Sequence, residues 1–484
     1  MRFKYAGDCF INIGFGGMNV VQSAVSIQQL VVSRREQIKI IIICVKSVRI
    51  SVVLWLRDLP QRFIKNISRN LYDQSSKLEL ESSNLESGIY LFFLVYSLKL
   101  AKFGELIIEI MIKRELYTLV NEKLYEGKAI IILGARQTGK TTLVRQILKG
   151  QPASNALLNC DEPGVRSLLE DISTARWKQI IGDNKIIVID EAQQIKDIGI
   201  KLKLVTDEIP DVQLIVTGSS ALELANEINE PLTGRKWEYF LYPVSWHELG
   251  TVYNFVERVP QVEQRMIFGM YPEVIMNPGK ELEILNNLAG SYLYKDLLSF
   301  KGIRKPGLLE QLLRALALQV GSEVSYNELG NMLQVDKNTV MTYIDLLEKA
   351  FIVFRLNPLS RNLRKEISTS RKIYFYDNGI RNALIANFNP LNIRSDTGQL
   401  WENFIISERK KHNHYKRRFL NMYFWRTHDQ QEIDLIEESG GVFEAFEFKW
   451  NKKKHSRSFD LFGKYYPLKT GKEISREDIE EFLG

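Results

Sequence analysis

The sequence predicts an α/β fold centred on a parallel sheet, followed by a small α-then-β segment and a last α/β segment. Three observations carry this. Short, mostly apolar runs (Ala129–Leu133, Ile186–Ile189, Gln213–Thr217) are bounded by turns and separated by stretches of helical spacing, the pattern of a sheet covered on both faces. A glycine-rich turn, Gly134–Thr141, leads from the first run straight into an amphipathic stretch. Near the C-terminus, alternating residues on either side of Gly440-Gly441 describe a hairpin.

A chain of 484 residues is long enough for about three domains. Its 45% hydrophobic and 25% charged residues are an ordinary globular balance. A net charge of +7 and a pI near 8.9 lean mildly towards a polyanionic partner, to be decided by where the charges fall. Three widely spaced cysteines (Cys9, Cys44, Cys160) exclude a disulfide scaffold or structural zinc and point to a reducing, cytoplasmic home. The apolar stretches 40–45 and 89–96 are cut short by Lys46, Arg49 and Lys99, well below the roughly 20 residues that span a bilayer, so no membrane association is expected.

Residues 1–110 are read as an extension without a motif: Gly14–Gly17 lacks a strand–turn–helix setting, and Asp73–Ser87 reads as a polar linker. The functional protein is expected to begin near Met111, the preceding segment standing outside its core as an over-extended gene start. The organisation expected beyond it is a parallel-sheet domain (111–257), a helical connector (258–307), a winged-helix-like segment (308–378) and a last α/β domain (379–484).

The loop reads Gly134, Ala135, Arg136, Gln137, Thr138, Gly139, Lys140, Thr141, Thr142. Glycines let backbone N–H groups wrap phosphates, a lysine reaches the β- and γ-phosphates, and a hydroxyl ligates Mg²⁺. The following helix adds its positive end. ATP and Mg²⁺ are therefore the expected ligands. The run Ile186–Ile189 delivers Asp190 to the metal beside Thr141, and Glu191 can orient the attacking water. The third run ends in Gly218-Ser219-Ser220, where Thr217 or Ser219 faces the γ-phosphate, unless this is a plain turn. Arg235 is a candidate for stabilising transition-state charge, in cis or from a neighbouring subunit, against the alternative of a solvated surface arginine.

The series G-A-R-Q-T-G-K-T-T, I-D-E-A-Q, T-G-S-S-A-L-E-L, L-T-G-R and Y-P-V-S-W-H-E-L resembles the bacterial and archaeal AAA-type ATPases that carry a C-terminal DUF4143 domain. Tyr271-Pro272-Glu273, Tyr294-Lys295-Asp296, the run from Tyr374 to Asp377 and E-I-D-L with F-E-F-K extend the likeness from Met111 to the C-terminus. The resemblance implies a P-loop NTPase core, a winged-helix segment and a C-terminal restriction-endonuclease-like fold. It fixes no physiological substrate.

In the middle segment, Ser325 and Glu328 form a capping box opening a helix to about Leu333, and Asp336 caps the next. Strands Phe351–Leu356 and Lys372–Tyr376 flank a basic loop. Lys337, Asn338 and Thr342, with Arg361, Arg364 and Lys365, would meet DNA as a winged helix does; the other reading is a packing module with solvated charges.

The C-terminal segment offers Glu402 on a helix, Asp434 opening a strand, and Glu447 and Lys449 on the returning strand. Asp434 and Glu447 can hold a divalent metal and Lys449 can position water, an order and spacing that resemble the PD-(D/E)xK nucleases, with Glu402 as their helical acid. Basic clusters (Lys410-Lys411, Lys416–Arg418, Lys452–Lys454) with Tyr415, Phe424 and Trp425 suit a nucleic-acid surface or a solvated face around core aromatics. His412 and His414 read as loop residues. Two functions follow: an ATP-regulated nuclease acting on DNA, or a nucleotide-dependent switch or scaffold that binds DNA or protein without cleavage, either of them compatible with a homo-oligomer.

Overall fold

The computed structural model describes residues 2–4, 10–12, 39–45 and 48–54 and, from 112 onwards, all but 220–227, 229, 293–305, 360–370, 428 and 452–456. Ser220, the 294–296 triplet, the basic loop residues Arg361, Arg364 and Lys365, and the 452–454 lysines lie outside the described residues. The chain divides into two units, Met1–Ser97 and Leu98–Gly484. In the first, β1 (Arg2–Lys4) pairs antiparallel with β2 (Phe10–Asn12), and β3 (Lys39–Val45) with β4 (Val48–Leu54).

The second unit opens with helix α1 (Glu115–Asn121) and a five-stranded sheet: β5 (Ala129–Leu133), β6 (Asn155–Asn159), β7 (Ile186–Asp190), β8 (Gln213–Gly218) and β9 (Lys236–Phe240). The order is β6-β7-β8-β5-β9, every pair parallel. β5, β7 and β8 are buried along their whole length. Their isoleucines and valines fill a pleated surface with apolar atoms on both faces, as the unbroken runs predict. This order puts β8 between the loop strand β5 and the acidic strand β7, so three polar strand ends converge at one sheet edge. Helix α2 (Lys140–Lys149) follows the loop, with Leu143, Val144 and Ile147 buried against the sheet.

Short helices (Gln261–Phe268, Pro272–Met276, Glu281–Asn287) form the connector. Then come α3 (Pro306–Leu318), β10 (Glu323–Val324), α4 (Tyr326–Leu333), α5 (Lys337–Lys349), β11 (Val353–Pro358) and β12 (Arg371–Phe375). Ser325 accepts from the Glu328 amide (3.4 Å) and Asp336 from Asn338 and Thr339 (2.8 and 3.0 Å), closing orphan N–H groups at both helix starts. The first strand begins two residues later than the expected Phe351, because Phe351 turns the chain with φ +58°.

The last part comprises α6 (Thr397–Tyr415), β13 (Asn421–Arg426), β14 (Glu432–Ser439), β15 (Val442–Phe448) and β16 (Leu468–Ile474). Gly440 and Gly441 turn the β14–β15 hairpin with φ +60° and +79°, the left-handed pair a two-residue hairpin loop demands. Two expectations are corrected here. The boundary drawn at 378/379 does not separate two sheets. β11 pairs in parallel with β13 (Asn357 opposite Tyr423, Pro358 opposite Phe424), making one seven-stranded sheet in the order β10-β12-β11-β13-β14-β15-β16. And α6 runs on through Lys410–Tyr415, so His412 and His414 are helical. Among the described residues no helix is long and apolar enough to cross a membrane.

Candidate functional site

The expected loop wraps at the C-terminal end of β5. Gly134 is required there: a Cβ on it would stand 2.2 Å from the Leu241 carbonyl oxygen. Gly139 takes φ +95° at the start of α2, a conformation that side chains oppose. The Lys140 ammonium, nearly buried, donates to the Gly134 and Ala135 carbonyls (2.9 and 3.0 Å) across the loop mouth, and the Thr138 hydroxyl donates to Ala135 (2.8 Å). Arg136, Gln137 and Thr142 lie partly or fully exposed along the same loop.

Thr141 and Asp190 lie side by side: the hydroxyl donates to Oδ2 at 2.8 Å. The Thr217 hydroxyl donates to the other Asp190 oxygen and accepts from the Glu191 amide (3.2 Å), so β8 fixes both acids. Glu191 itself turns with φ +54°. Its carboxylate accepts from Gln193 Nε2 (2.6 Å), which also donates to Ser219 Oγ (2.9 Å). Thr141, Asn159, Asp190, Glu191 and Arg145 line a cavity of about 240 Å³. Hydroxyl and carboxylate oxygens at the foot of a phosphate loop are the donors Mg²⁺ takes, and Thr141 and Asp190 would hold it. Beside them, burial first and the Asp190 charge second push the Cys160 thiol up to about 12, so it stays protonated and unreactive.

Arg235 is elsewhere. Its carbonyl accepts from the Ala129 amide (2.9 Å), at the start of β5, and its guanidinium pairs with Asp207 (2.6 Å). The five residues of β5 separate it from the loop by roughly 16 Å of strand, so the in-cis role is corrected: Arg235 cannot reach its own chain's phosphates.

A residue that carries no sequence signal braces the loop instead. Arg114, buried just before α1, donates to the Thr138 carbonyl (2.5 Å) and the Tyr242 carbonyl (2.6 Å) and pairs with the fully buried Glu248 (3.0 Å). The segment Tyr242–Glu248 also meets α6. The Tyr242 amide donates to the Tyr415 hydroxyl (3.2 Å), the Trp246 amide to Glu408 (2.6 Å), and Lys411 to the Val244 carbonyl (3.1 Å) and Glu408 (2.6 Å).

In the C-terminal half the structure brings Glu402, Asp434, Glu447 and Lys449 together. Lys449 Nζ lies 3.9 Å from Asp434 Oδ2 and 3.7 Å from Glu447 Oε2. The Phe448 amide donates to Asp434 Oδ2 (2.8 Å). A second lysine, Lys372, enters from β12 and contacts Glu402 (2.9 Å), Glu432 (2.5 Å) and Asp434 (3.9 Å), while the Tyr374 hydroxyl donates to Glu402 (2.6 Å). Burial raises the Glu402 carboxyl to about 7, with Lys372 opposing and Asp434 adding to the rise. Burial also works against the charge on Lys372, but Glu402, Tyr374, Asp434 and Glu432 outweigh it and hold the ammonium well above its ordinary range. Among the described residues no three His, Cys, Asp or Glu side chains are arranged to hold a metal ion. Lys372 thus stands among three carboxylates, those of Glu402, Glu432 and Asp434. Alternation along K-I-Y-F-Y puts Lys372 and Tyr374 on one strand face; a lysine in so apolar a strand was the available signal.

The basic cluster around α6 is partly buried and partly ion-paired at the surface. Lys410 sits over the Phe354 ring (5.0 Å), Lys411 is buried on Glu408, and Lys416, Arg417 and Arg418 pair with Glu115, Glu122, and Glu437 and Glu444. Tyr415, Phe424 and Trp425 are buried. His412 meets the Leu483 carbonyl, and His414 packs on Phe240 and Tyr242.

Comparison with known proteins covers most of the second unit. Residues 126–250 match an AAA domain family, 259–393 a domain of unknown function (DUF8612) and 397–478 a domain of unknown function (DUF4143). An uncharacterized protein of Mycobacterium tuberculosis is 26% identical over 342 residues, covering 70% of this chain and 74% of its own length. One of Methanocaldococcus jannaschii is 23% identical over 335 residues, covering 65% and 73%. Among solved structures, a Walker-type ATPase of Pyrococcus abyssi is 17% identical with a TM-score of 0.41 and covers 57% of this chain and 96% of that one. The Pif1 helicase of Candida albicans is 14% identical with a TM-score of 0.22, covering 37% and 48%.

Proposed function

This chain belongs to the AAA-type P-loop ATPases with a C-terminal DUF4143 domain, and we propose that it hydrolyses ATP and passes its nucleotide state to the C-terminal half through α6. When bound, Mg²⁺ supplies charge to the phosphates from Thr141 and Asp190. Lys140 and the loop amides hold the phosphates, and Glu191, fixed by Gln193, orients water.

One observation carries the coupling. The segment Tyr242–Glu248 is held by two sets of side chains: Arg114, which also holds the Thr138 carbonyl of the phosphate loop, and Tyr415, Glu408 and Lys411 of α6. These groups are buried, so a shift of the loop cannot be absorbed by solvent and must be taken up by packed neighbours. Hydrogen exchange on the Glu191→Gln chain with and without ATP tests it. Altered protection in both 242–249 and 397–415, absent in Lys140→Ala, is expected. Change confined to the loop and α2 would refute the coupling.

The alternative of a nucleotide-dependent switch without cleavage is supported in the C-terminal cluster by Lys372, whose ammonium already pairs with Glu402 and Glu432 and lies 3.9 Å from Asp434. A DNA partner is the second reading. Lys337, Asn338 and Thr342 are exposed on α5 and support it, while Lys410 and Lys411, packed within the chain, add nothing to it. ATP-dependent retention of labelled duplex DNA that is lost in Lys337→Glu is the test, and equal retention by both proteins would turn the search to a protein partner.

A further inference from the structure

Lys372 has the surroundings of a bound cation. Its side chain is 2% exposed. Its ammonium touches Glu402 on α6 and Glu432 on β14, with Asp434 just beyond, and the Phe424 ring lies 5.6 Å away. The backbone leaves it little freedom to depart: β12 is an inner strand, with Lys372 opposite Glu323 of β10 on one side and Leu356 of β11 on the other.

The oxygens around it are already engaged. Glu402 Oε1 accepts from both Lys372 and Tyr374. Asp434 Oδ2 accepts from the Phe448 amide and faces Lys449, while Oδ1 faces Lys372. A hard divalent ion needs carboxylate oxygens at about 2.0–2.6 Å. Reaching these would bring it against a buried ammonium that has nowhere polar to go, and an unpaired buried charge is heavily penalised.

We propose that Lys372 is the resident cation of this cluster: it takes the place of a divalent metal, makes the site metal-free, and ties β12 to α6 and β14. The cluster then works as an ionic weld between β12 and the β13–β16 part of the seven-stranded sheet. Through Glu402 it also anchors the end of α6 remote from Glu408, Lys411 and Tyr415. The inference stands whether or not the coupling reading of α6 holds, since it concerns which cation the carboxylates keep.

The test is Mn²⁺ binding to the nucleotide-free full chain, followed by electron paramagnetic resonance. The wild type should show no binding that depends on Asp434. Lys372→Met, apolar and of similar length, should create a site that Asp434→Ala abolishes, with affinity raised at least about tenfold, since one positive charge has left the immediate neighbourhood of a divalent ion. Asp434-dependent Mn²⁺ binding by the wild type would overturn the proposal, as would a Lys372→Met chain whose affinity is unchanged. Should that variant not fold, the wild-type titration decides: an Asp434-dependent site refutes, and its absence supports. Circular dichroism of the same samples separates a fold defect from a binding result.

Discussion

Arg114 is the residue whose loss should be felt furthest from where it sits. It offers one guanidinium to three buried acceptors: the Thr138 carbonyl, the Tyr242 carbonyl and the Glu248 carboxylate. Arg114→Ala leaves Glu248, fully buried, without its counter-ion. Removing one member of such a pair costs about 3–5 kcal/mol. Glu248 keeps backbone donors from Glu115 (2.8 Å) and Ser245 (2.9 Å), which places the expected loss near the low end, ~3 kcal/mol. Glu248→Ala should cost a similar amount, because it strands the guanidinium. The double variant Arg114→Ala with Glu248→Ala leaves no orphan charge, so its cost should fall short of the sum by at least about 1.5 kcal/mol. Urea unfolding of the four proteins measures this coupling. Arg114→Lys adds the functional arm: one ammonium cannot serve a forked set of acceptors, and kcat for ATP should fall about tenfold with a smaller change in nucleotide affinity. Additivity within about 0.5 kcal/mol, or an Arg114→Lys chain with unchanged kcat, would refute the brace.

Three further outcomes are expected. Glu191→Gln should retain nucleotide binding while hydrolysis drops by about 10²–10⁴; a loss of less than tenfold would remove Glu191 from the water-orienting role. Gly269→Ala should destabilise the chain by at least about 2 kcal/mol, since Gly269 has φ +74° and a Cβ would stand 2.1 Å from Asp377 Oδ1, the side chain that accepts from the Met270 amide; calorimetry with an unchanged Tm would contradict this. For pH, burial lowers both His412 and His414 to about 4, helped by Arg409, Lys416 and Arg418 at the first and Lys410 at the second. A histidine with a depressed folded pKa contributes stability that is fully present above its ordinary value near 6.5 and lost as pH falls towards 4. Tm should therefore decline through that window, and His414→Phe should flatten the decline; an identical slope would reject it.

The sequence by itself determined the strand–loop–helix of the nucleotide half and the acidic strand end beside it. Phosphate binding rests on local chemistry: a strand of aliphatics, glycines at fixed offsets, a lysine and a threonine at the helix start. The pairing of Thr141 with Asp190 was legible because two buried parallel strands end at one sheet edge. The hairpin at Gly440-Gly441, the helix caps at Ser325 and Asp336, and the gathering of Asp434, Glu447 and Lys449 were legible for the same reason, since period and turn residues act over a few positions. What only the tertiary structure decided concerns partners far apart in the chain. Arg114 finds Glu248, and Lys416 finds Glu115, because domain packing closes loops that no periodicity records. The motif left Arg235 open between a catalytic and a solvated surface arginine, and parallel pairing of β9 with β5 carries it to the opposite sheet edge, half-exposed on Asp207. In the basic run 410–418, only the fold showed that Lys411 is buried on Glu408 and that Lys416, Arg417 and Arg418, still partly exposed, sit in ion pairs. Lys372 is the sharpest case: its place in an apolar strand was visible, but which carboxylates would surround it depended on β11 pairing in parallel with β13, a long-range register that local sequence does not encode.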